Sequence, residues 1–294
     1  MQHEDKHELL YKKSYAEINN SEHEVVHIEQ EHLDASVSIS GIVRNRIFLS
    51  PNYGTFSNIN LRFSNIDNAK FVLDKLLSFL RKKYHDTIIT FPSEIYDPRI
   101  NMMICHFLFK GMEITKIELN NHIPLTNIPR FNKSNRKRLR KLSDDFFTFH
   151  RAGLEEIDLV YHVLQKNREH RGLSLSMSLN KMRNLLHVYN NDFKIWLIRE
   201  RNDISVAAAI TIDLTQNTRY VFYWGELPNY RKYSPVVLLA DGLANETIAC
   251  GKTILDLGTS SLDGNIDAGL IKFKSALGAV NTLKLTMSDK NAEL

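Results

Sequence analysis

The sequence predicts an α/β (α+β) fold, with helices packed on a mixed β-sheet, and three observations lead there. Segments whose apolar residues recur at helical spacing alternate with short runs rich in Val, Ile and aromatic residues. Gly, Pro and Ser stand at the ends of these segments, where the chain must turn. The order of elements in the second half is similar to that in the first, which hints at a diverged duplication. The chain has 294 residues, 43% of them apolar and 10% aromatic, enough for a buried core and too much of both for a disordered chain. That length suits one large domain or two of ordinary size. The division is expected at 143/144, giving 1–143 with its polar lead-in and 144–294.

Taken in order, residues 1–34 are polar and rich in His, Glu and Asn, and read as an irregular or partly helical lead-in. Residues 35–43 and 46–49 read as a hairpin across a short polar turn, and 59–63 as another strand. Phe71, Val72, Leu76, Leu77 and Leu80 place one apolar face on a helix over 69–84. A short strand over 87–91 stops at Pro92; 100–109 reads as helix and 112–119 as strand. In the second half, 154–169 and 179–189 read as helices. Strands follow at 193–199, 205–213 and 219–224. A helix over 234–249 opens with Ser234 as N-cap and Pro235 in its first turn, and Gly251 closes it. A strand at 254–257, a helix at 268–277 ended by Gly278, and a strand at 282–287 complete the chain.

Composition excludes several classes. No run approaches the roughly 18 apolar residues of a membrane helix, and the charged start MQHEDKHELLYKK does not read as a secretory signal. Two cysteines, Cys105 and Cys250, cannot make a disulfide framework or a Cys-rich zinc site. A cytoplasmic protein is expected. His3 and His7, and His23 and His27, have helical i, i+4 spacing but no HExxH-type context, so no metal is expected. The net charge of +4 is local in origin. Lys133, Arg136, Lys137, Arg138, Arg140 and Lys141 form a run with no acid, and without them the chain is net acidic. Lys133, Arg136, Lys137 and Arg140 share one face of a helix while Leu139 and Leu142 can bury the other. Such a stripe either holds phosphates or is simply a solvated face.

The stretch 220–280 carries the strongest signal: an aromatic strand, a Pro-Tyr turn, the Ser234-Pro235 helix start, Leu255-Asp256-Leu257-Gly258, and FKSALGA. It resembles the C-terminal acetyltransferase domain of FemABX-like and cellulose-biosynthesis-type GNAT proteins. FKSALGA is similar to that family's Phe-Lys-x-x-Phe-Gly motif, with Leu277 at the usual aromatic. SNRKRLRKL resembles the Arg-rich segment before that domain, and SPNYGTF near Ser50 resembles a Ser-Pro loop of the first half. The resemblance implies two GNAT-like units with mixed, mostly antiparallel central sheets, of which only the second binds acyl-CoA.

Acyl transfer needs a neutral amine, a stabilised oxyanion and a proton for the leaving group. The resemblance implies that 219–225 and 253–257 are parallel strands that splay around the thioester. The candidates for catalysis are then Asp256, Glu226 and Lys274. A GNAT fold holds the donor's pyrophosphate on backbone N–H groups where a helix begins. That role falls to Tyr230, Arg231, Lys232, Tyr233 and Ser234, with Lys272 nearby, although the usual Gly-rich turn is absent. Tyr53, Arg136, Arg138, Arg140, Tyr223 and Trp224 are the expected contacts of the acceptor. Glu226 and Asp256 read equally well as a turn carboxylate and a loop cap, and Lys274 as a solvated helix lysine.

The function expected is N-acyl transfer from a coenzyme A thioester to an amino sugar, carried on a nucleotide diphosphate and destined for surface polysaccharide. The alternative is FemABX-like transfer from aminoacyl-tRNA to a peptidoglycan precursor, which the lack of a long helical arm disfavours. Small-molecule substrates are the expected partners. A nucleic-acid-binding protein would spread basic and aromatic residues over a surface, whereas this chain has one such cluster.

Overall fold

The computed structural model describes residues 25–51, 55–126, 131–145, 147–262 and 264–290. The chain forms two compact units. The first comprises 1–120, 261–266 and 282–294; the second comprises 121–260 and 267–281. These units part at 120/121 and exchange short C-terminal segments, so they are a different partition from the expected 143/144.

In the first unit the strand order is β1 (Val26–His32), β2 (Ala35–Arg44), β3 (Ile47–Ser50), β5 (Asp86–Thr90), β14 (Val280–Lys290) and β6 (Glu113–Pro124), and β4 (Asn60–Arg62) pairs with β2. Within it lie 113–120 of β6 and 282–290 of β14. The β2–β3 hairpin turns on Asn45 (φ 50°) and Arg46 (φ 64°), the doubly left-handed conformation of a two-residue turn matched to strand twist. Strand β3 runs parallel to β5, and helix α1 (Ile66–Lys83) lies between them in the chain. Asn65 caps α1 by accepting from Asp67 N at 2.8 Å and Asn68 N at 3.3 Å. Its buried face is Val72, Leu73, Leu76, Leu77 and Leu80; four of these belong to the periodic set read from the sequence, Leu73 does not, and Phe71 of that set is exposed. Helix α2 (Arg99–Phe109) leads into β6, and the short strands β12 (Ser261–Leu262) and β13 (Asn265–Ile266) pair antiparallel.

One expectation is corrected here. Residues 26–32 are not irregular or helical but form β1, paired antiparallel with β2 over its whole length. The rest of the lead-in, 1–24, lies outside the described residues.

The second unit runs through α3 (Lys133–Asp145), β7 (Phe147–Ala152), a 3-10 turn at Leu154–Glu156, α4 (Ile157–Glu169), α5 (Leu179–Val188), β8 (Phe193–Glu200), β9 (Ser205–Asp213), β10 (Thr218–Glu226), α6 (Pro235–Ala249), β11 (Ile254–Thr259) and α7 (Ala268–Ala276). Its strand order is β11-β10-β9-β8-β7, with β10 and β11 parallel and the rest antiparallel. Strand, helix and parallel strand thus recur: β3, α1, β5 in one unit and β10, α6, β11 in the other. Strand β9 is buried at eight consecutive positions, so both sheet faces are covered there, and α4 and α6 both pack on it. Trp196, Val221, Val237, Leu243, Leu255, Leu257 and Leu277 belong to one apolar core. Gly242 lets α6 approach Phe149 closely, since a Cβ there would come within 2.4 Å of the ring.

Candidate functional site

The site is made by two parallel strands that part. Strands β10 and β11 pair only at Thr218↔Ile254, Arg219↔Leu255 and Tyr220↔Asp256. Beyond that point β10 stays on β9 as far as Glu226↔Ala207, with a register shift between Val221 and Tyr223. A bulge of this kind turns a strand and re-aims its side chains. The described residues 221–226 and 257–259 therefore flank a fork whose crotch is Tyr220 and Asp256. Gly258, at φ 73°, bends β11 at this point and lies against the Tyr220 ring, which a Cβ would meet at 3.5 Å.

Asp256 and Lys274 come together beside the fork. Asp256 is 1% exposed, and its Oδ1 accepts from Gly258 N at 2.8 Å. Lys274, on α7, is 2% exposed, and its Nζ donates to Gly258 O at 2.9 Å and Thr259 O at 2.8 Å. The reading of Lys274 as a solvated helix lysine is thus overturned. Burial pushes its pKa down to about 7, and the charges of Asp256 and Asp267 pull the other way. An ammonium has three protons to donate, and two point at carbonyls.

Glu226 does not share this place. Six residues separate it from Tyr220 along β10, roughly 20 Å of extended chain. It is 9% exposed, and its Oε2 accepts from Val236 N at 3.1 Å, in the first turn of α6. Burial raises its pKa, while the Val236 N–H and the charges of Arg231 and Arg138 partly oppose that rise. Arg231 Nε stands 4.0 Å from its Oε1.

The expected N-cap is corrected as well. Ser234 is left-handed (φ 59°, ψ 52°), and its side chain makes no cap bond to α6; its Oγ donates to Arg231 O at 3.3 Å. The cap is the Glu226 carboxylate. The amides before and within the first turn are committed in the same way. Tyr230 N donates to Leu227 O, Arg231 N to Pro228 O, Tyr233 N to Tyr230 O, Ser234 N to Arg231 O and Val237 N to Ser234 O, while Pro235 has no N–H. Of the seven amides at 230–237, five are bonded to backbone carbonyls and that of Val236 to a carboxylate.

The remaining candidates are spread out. Tyr223 is buried, its hydroxyl bonded to Ser176 Oγ, and burial raises its pKa. Trp224 packs on Phe273 with ring centroids 5.7 Å apart. Lys232 lies over the Tyr233 ring at 4.9 Å. Tyr230 is half-buried, and Arg231, Lys232, Tyr233 and Lys272 are exposed. Helix α3 forms as expected, with Leu142 buried and Leu139 against the core while Arg136, Arg138 and Arg140 are exposed. Tyr53 lies outside the described residues. Among described residues no group of three His, Cys, Asp or Glu could hold a metal ion.

Two contributors escaped the sequence reading. Asn167, on α4, donates to Glu226 O at 2.8 Å and sits against Gly225, where a Cβ would meet its side chain at 2.6 Å. Ser176 holds Tyr223. Both are single polar residues far in sequence from β10, with no spacing that marks them.

No protein-family model matches the sequence, and no curated protein does. Solved structures do match in fold. FemX aligns over 95% of this chain and 91% of its own, at 12% identity and a TM-score of 0.71. L-PGS from Bacillus licheniformis aligns over 89% and 82%, at 14% identity and a TM-score of 0.56. A tandem GNAT protein from the clavulanic acid biosynthesis pathway aligns over 92% and 84%, at 7% identity and a TM-score of 0.52. At these identities the likeness is one of fold. The chain has a FemABX-like GNAT fold, as its motifs suggested.

Proposed function

We propose that this chain is an N-acyltransferase that moves an activated acyl group to an amine at the fork between β10 and β11. The observation that carries this reading is Lys274, buried against the Gly258 and Thr259 carbonyls at the end of β11 with a pKa of about 7. The amine nitrogen adds to the acyl carbonyl, and the carbonyl oxygen becomes an oxyanion. The Lys274 ammonium is suited to pair with that charge in a site of low dielectric. Collapse breaks the bond to the leaving sulfur or oxygen, which takes a proton from the Lys274 ammonium, and the proton that the amine sheds as the amide forms restores that ammonium. Asp256 acts through Lys274, favouring its protonated form, and is a positioning residue here rather than the base expected from sequence.

Two donors are in question, a coenzyme A thioester and an aminoacyl-tRNA ester. The committed amides of Tyr230, Arg231, Tyr233, Ser234, Val236 and Val237 leave fewer N–H groups for a diphosphate at this helix start, which counts against the first. The exposed cations of α3 suit phosphates in either reading, whether on a nucleotide-linked amino sugar or on RNA. The test is transfer from labelled acetyl-CoA or charged tRNA to amino sugars and peptidoglycan precursors by the purified protein. Transfer from one donor, lost at least 100-fold in Lys274→Met, is the expected result. Transfer unaffected by Lys274→Met removes the proposed chemistry.

A further inference from the structure

We infer that Glu226 is a donor-specificity residue whose carboxylate fills, from within the chain, the helix start that a donor diphosphate would otherwise occupy. The inference rests on the acyl-transfer reading for its meaning, but on separate atoms. Helix α6 has 15 residues, and its positive end is a natural seat for an anion. That seat is taken: Glu226 Oε2 accepts from Val236 N at 3.1 Å, Pro235 has nothing to donate, and Val237 N is bonded to Ser234 O at 2.9 Å. The carboxylate is buried and bracketed by positive charge, with Arg231 at 4.0 Å and Arg138 near enough for its charge to favour the ionised form.

Two further features hold the carboxylate there. The backbone carbonyl of Glu226 accepts from Asn167 Nδ2 at 2.8 Å, which fixes the end of β10 on α4. Ser234 adopts φ 59°, uncommon for a residue with a Cβ, and this turns its own hydroxyl away from the cap position. A Ser cap and a carboxylate would compete for the same helix start, and here the carboxylate holds the Val236 amide. An incoming diphosphate would have to displace Glu226, or stack a second anion against it. Removing the carboxylate leaves the opposite arrangement: a free Val236 N–H at the helix terminus, with Arg231 beside the vacated anion position and the charge of Arg138 acting on it.

The proposal therefore predicts a gain of binding. Calorimetric titration of desulfo-coenzyme A should show little heat with the unaltered protein up to about 1 mM, a Kd weaker than roughly −4 kcal/mol corresponds to. Glu226→Ala should bind at least tenfold more tightly, and Glu226→Gln, which keeps an acceptor but loses the charge, by less. The Gln variant also serves if the Ala variant melts below assay temperature. Micromolar binding by the unaltered protein overturns the proposal, as does a folded pair of variants with no gain. Transfer assays with both donors separate this from the acyl-transfer reading. Acetyl transfer from acetyl-CoA by the unaltered protein refutes the role of Glu226 and leaves acyl transfer standing. No transfer from either donor, with the binding gain present, supports Glu226 and removes acyl transfer.

Discussion

Lys274 is the residue where sequence and structure meet most usefully. Its place in FKSALGA marked it through resemblance, but the cause of its low pKa is burial against the end of β11, a contact 15 and 16 residues away in sequence. Its folded pKa lies below that of an unfolded lysine, so between about 7 and 10.5 the unfolded chain binds the extra proton. The stability penalty is thus full below pH 7 and recedes as pH rises towards 10.5. Lys274→Met should therefore gain stability over the unaltered protein most below pH 7, with the difference shrinking in melts taken up to pH 10. In kinetics, the step that needs the ammonium should slow as pH rises through about 7, and Lys274→Arg should keep that limb high. A melting difference that grows with pH would contradict the assigned shift. Ser234 teaches the reverse lesson. A Ser before Pro is a strong local cap signal, yet φ 59° puts it in a conformation that costs a residue with a Cβ about 1–2 kcal/mol. Ser234→Ala should change stability by less than about 0.5 kcal/mol, as for substitutions away from packing or caps, while Glu226→Ala should lose about 1 kcal/mol through the true cap. Urea melts of the two variants check this, and a larger loss for Ser234→Ala would restore the Ser cap.

Among elements, the periodic ones were legible and the edges were not. Helix α1 announces itself by five apolar residues at helical spacing, four of them buried, and the β2–β3 hairpin by two short runs around a polar pair. Strand β1 carries VHIEQEH, of which only Ile28 is buried. A strand with one core residue has almost no alternation to read, and its formation is owed to backbone pairing with β2. Likewise the Glu226 cap joins residues ten apart through the end of a strand, which no helix-start pattern contains. Helix α3 is an intermediate case, because its faces were legible but its purpose was not. Arg136 and Arg140 are exposed, so the double change to Ala should shift the melting temperature by no more than about 2 °C. It should weaken a phosphate-bearing substrate at least tenfold at low salt, with the difference closing as salt screens the exposed charges. Equal loss for an uncharged acceptor amine would show that the stripe supports the fold instead.

At the scale of the whole molecule, the chain's own path decides what can be separated. The first unit draws on three stretches, and the last of them, 282–290, supplies β14, the strand that stands between β5 and β6 in that unit. It pairs with β5 from Thr286↔Thr90 to Lys290↔Asp86. It also brings Asp289, which accepts from Arg81 at 2.7 and 2.9 Å, and Lys284, which pairs with the buried Glu118 at 2.9 Å and donates to Thr55 O at 3.1 Å. A fragment of residues 1–143, cut at the boundary expected from sequence, keeps Glu118 and Arg81 but loses Lys284 and Asp289, leaving Glu118 with Lys116 at 3.6 Å and Arg81 with the Lys110 carbonyl. The weakened ion pairs and the lost ladder on β5 together cost on the order of 3–5 kcal/mol. Whole domains are stable by only about 5–15 kcal/mol, so this fragment should not fold. The same holds for the full chain ended at residue 281, although only 13 residues are removed. Far-UV circular dichroism should show no cooperative melt of the 1–143 fragment. The same fragment with 282–294 joined to its end through a flexible linker should recover one. A cooperative melt without β14 would mean that the first half of the chain folds independently, and the division at 143/144 would then be the better one.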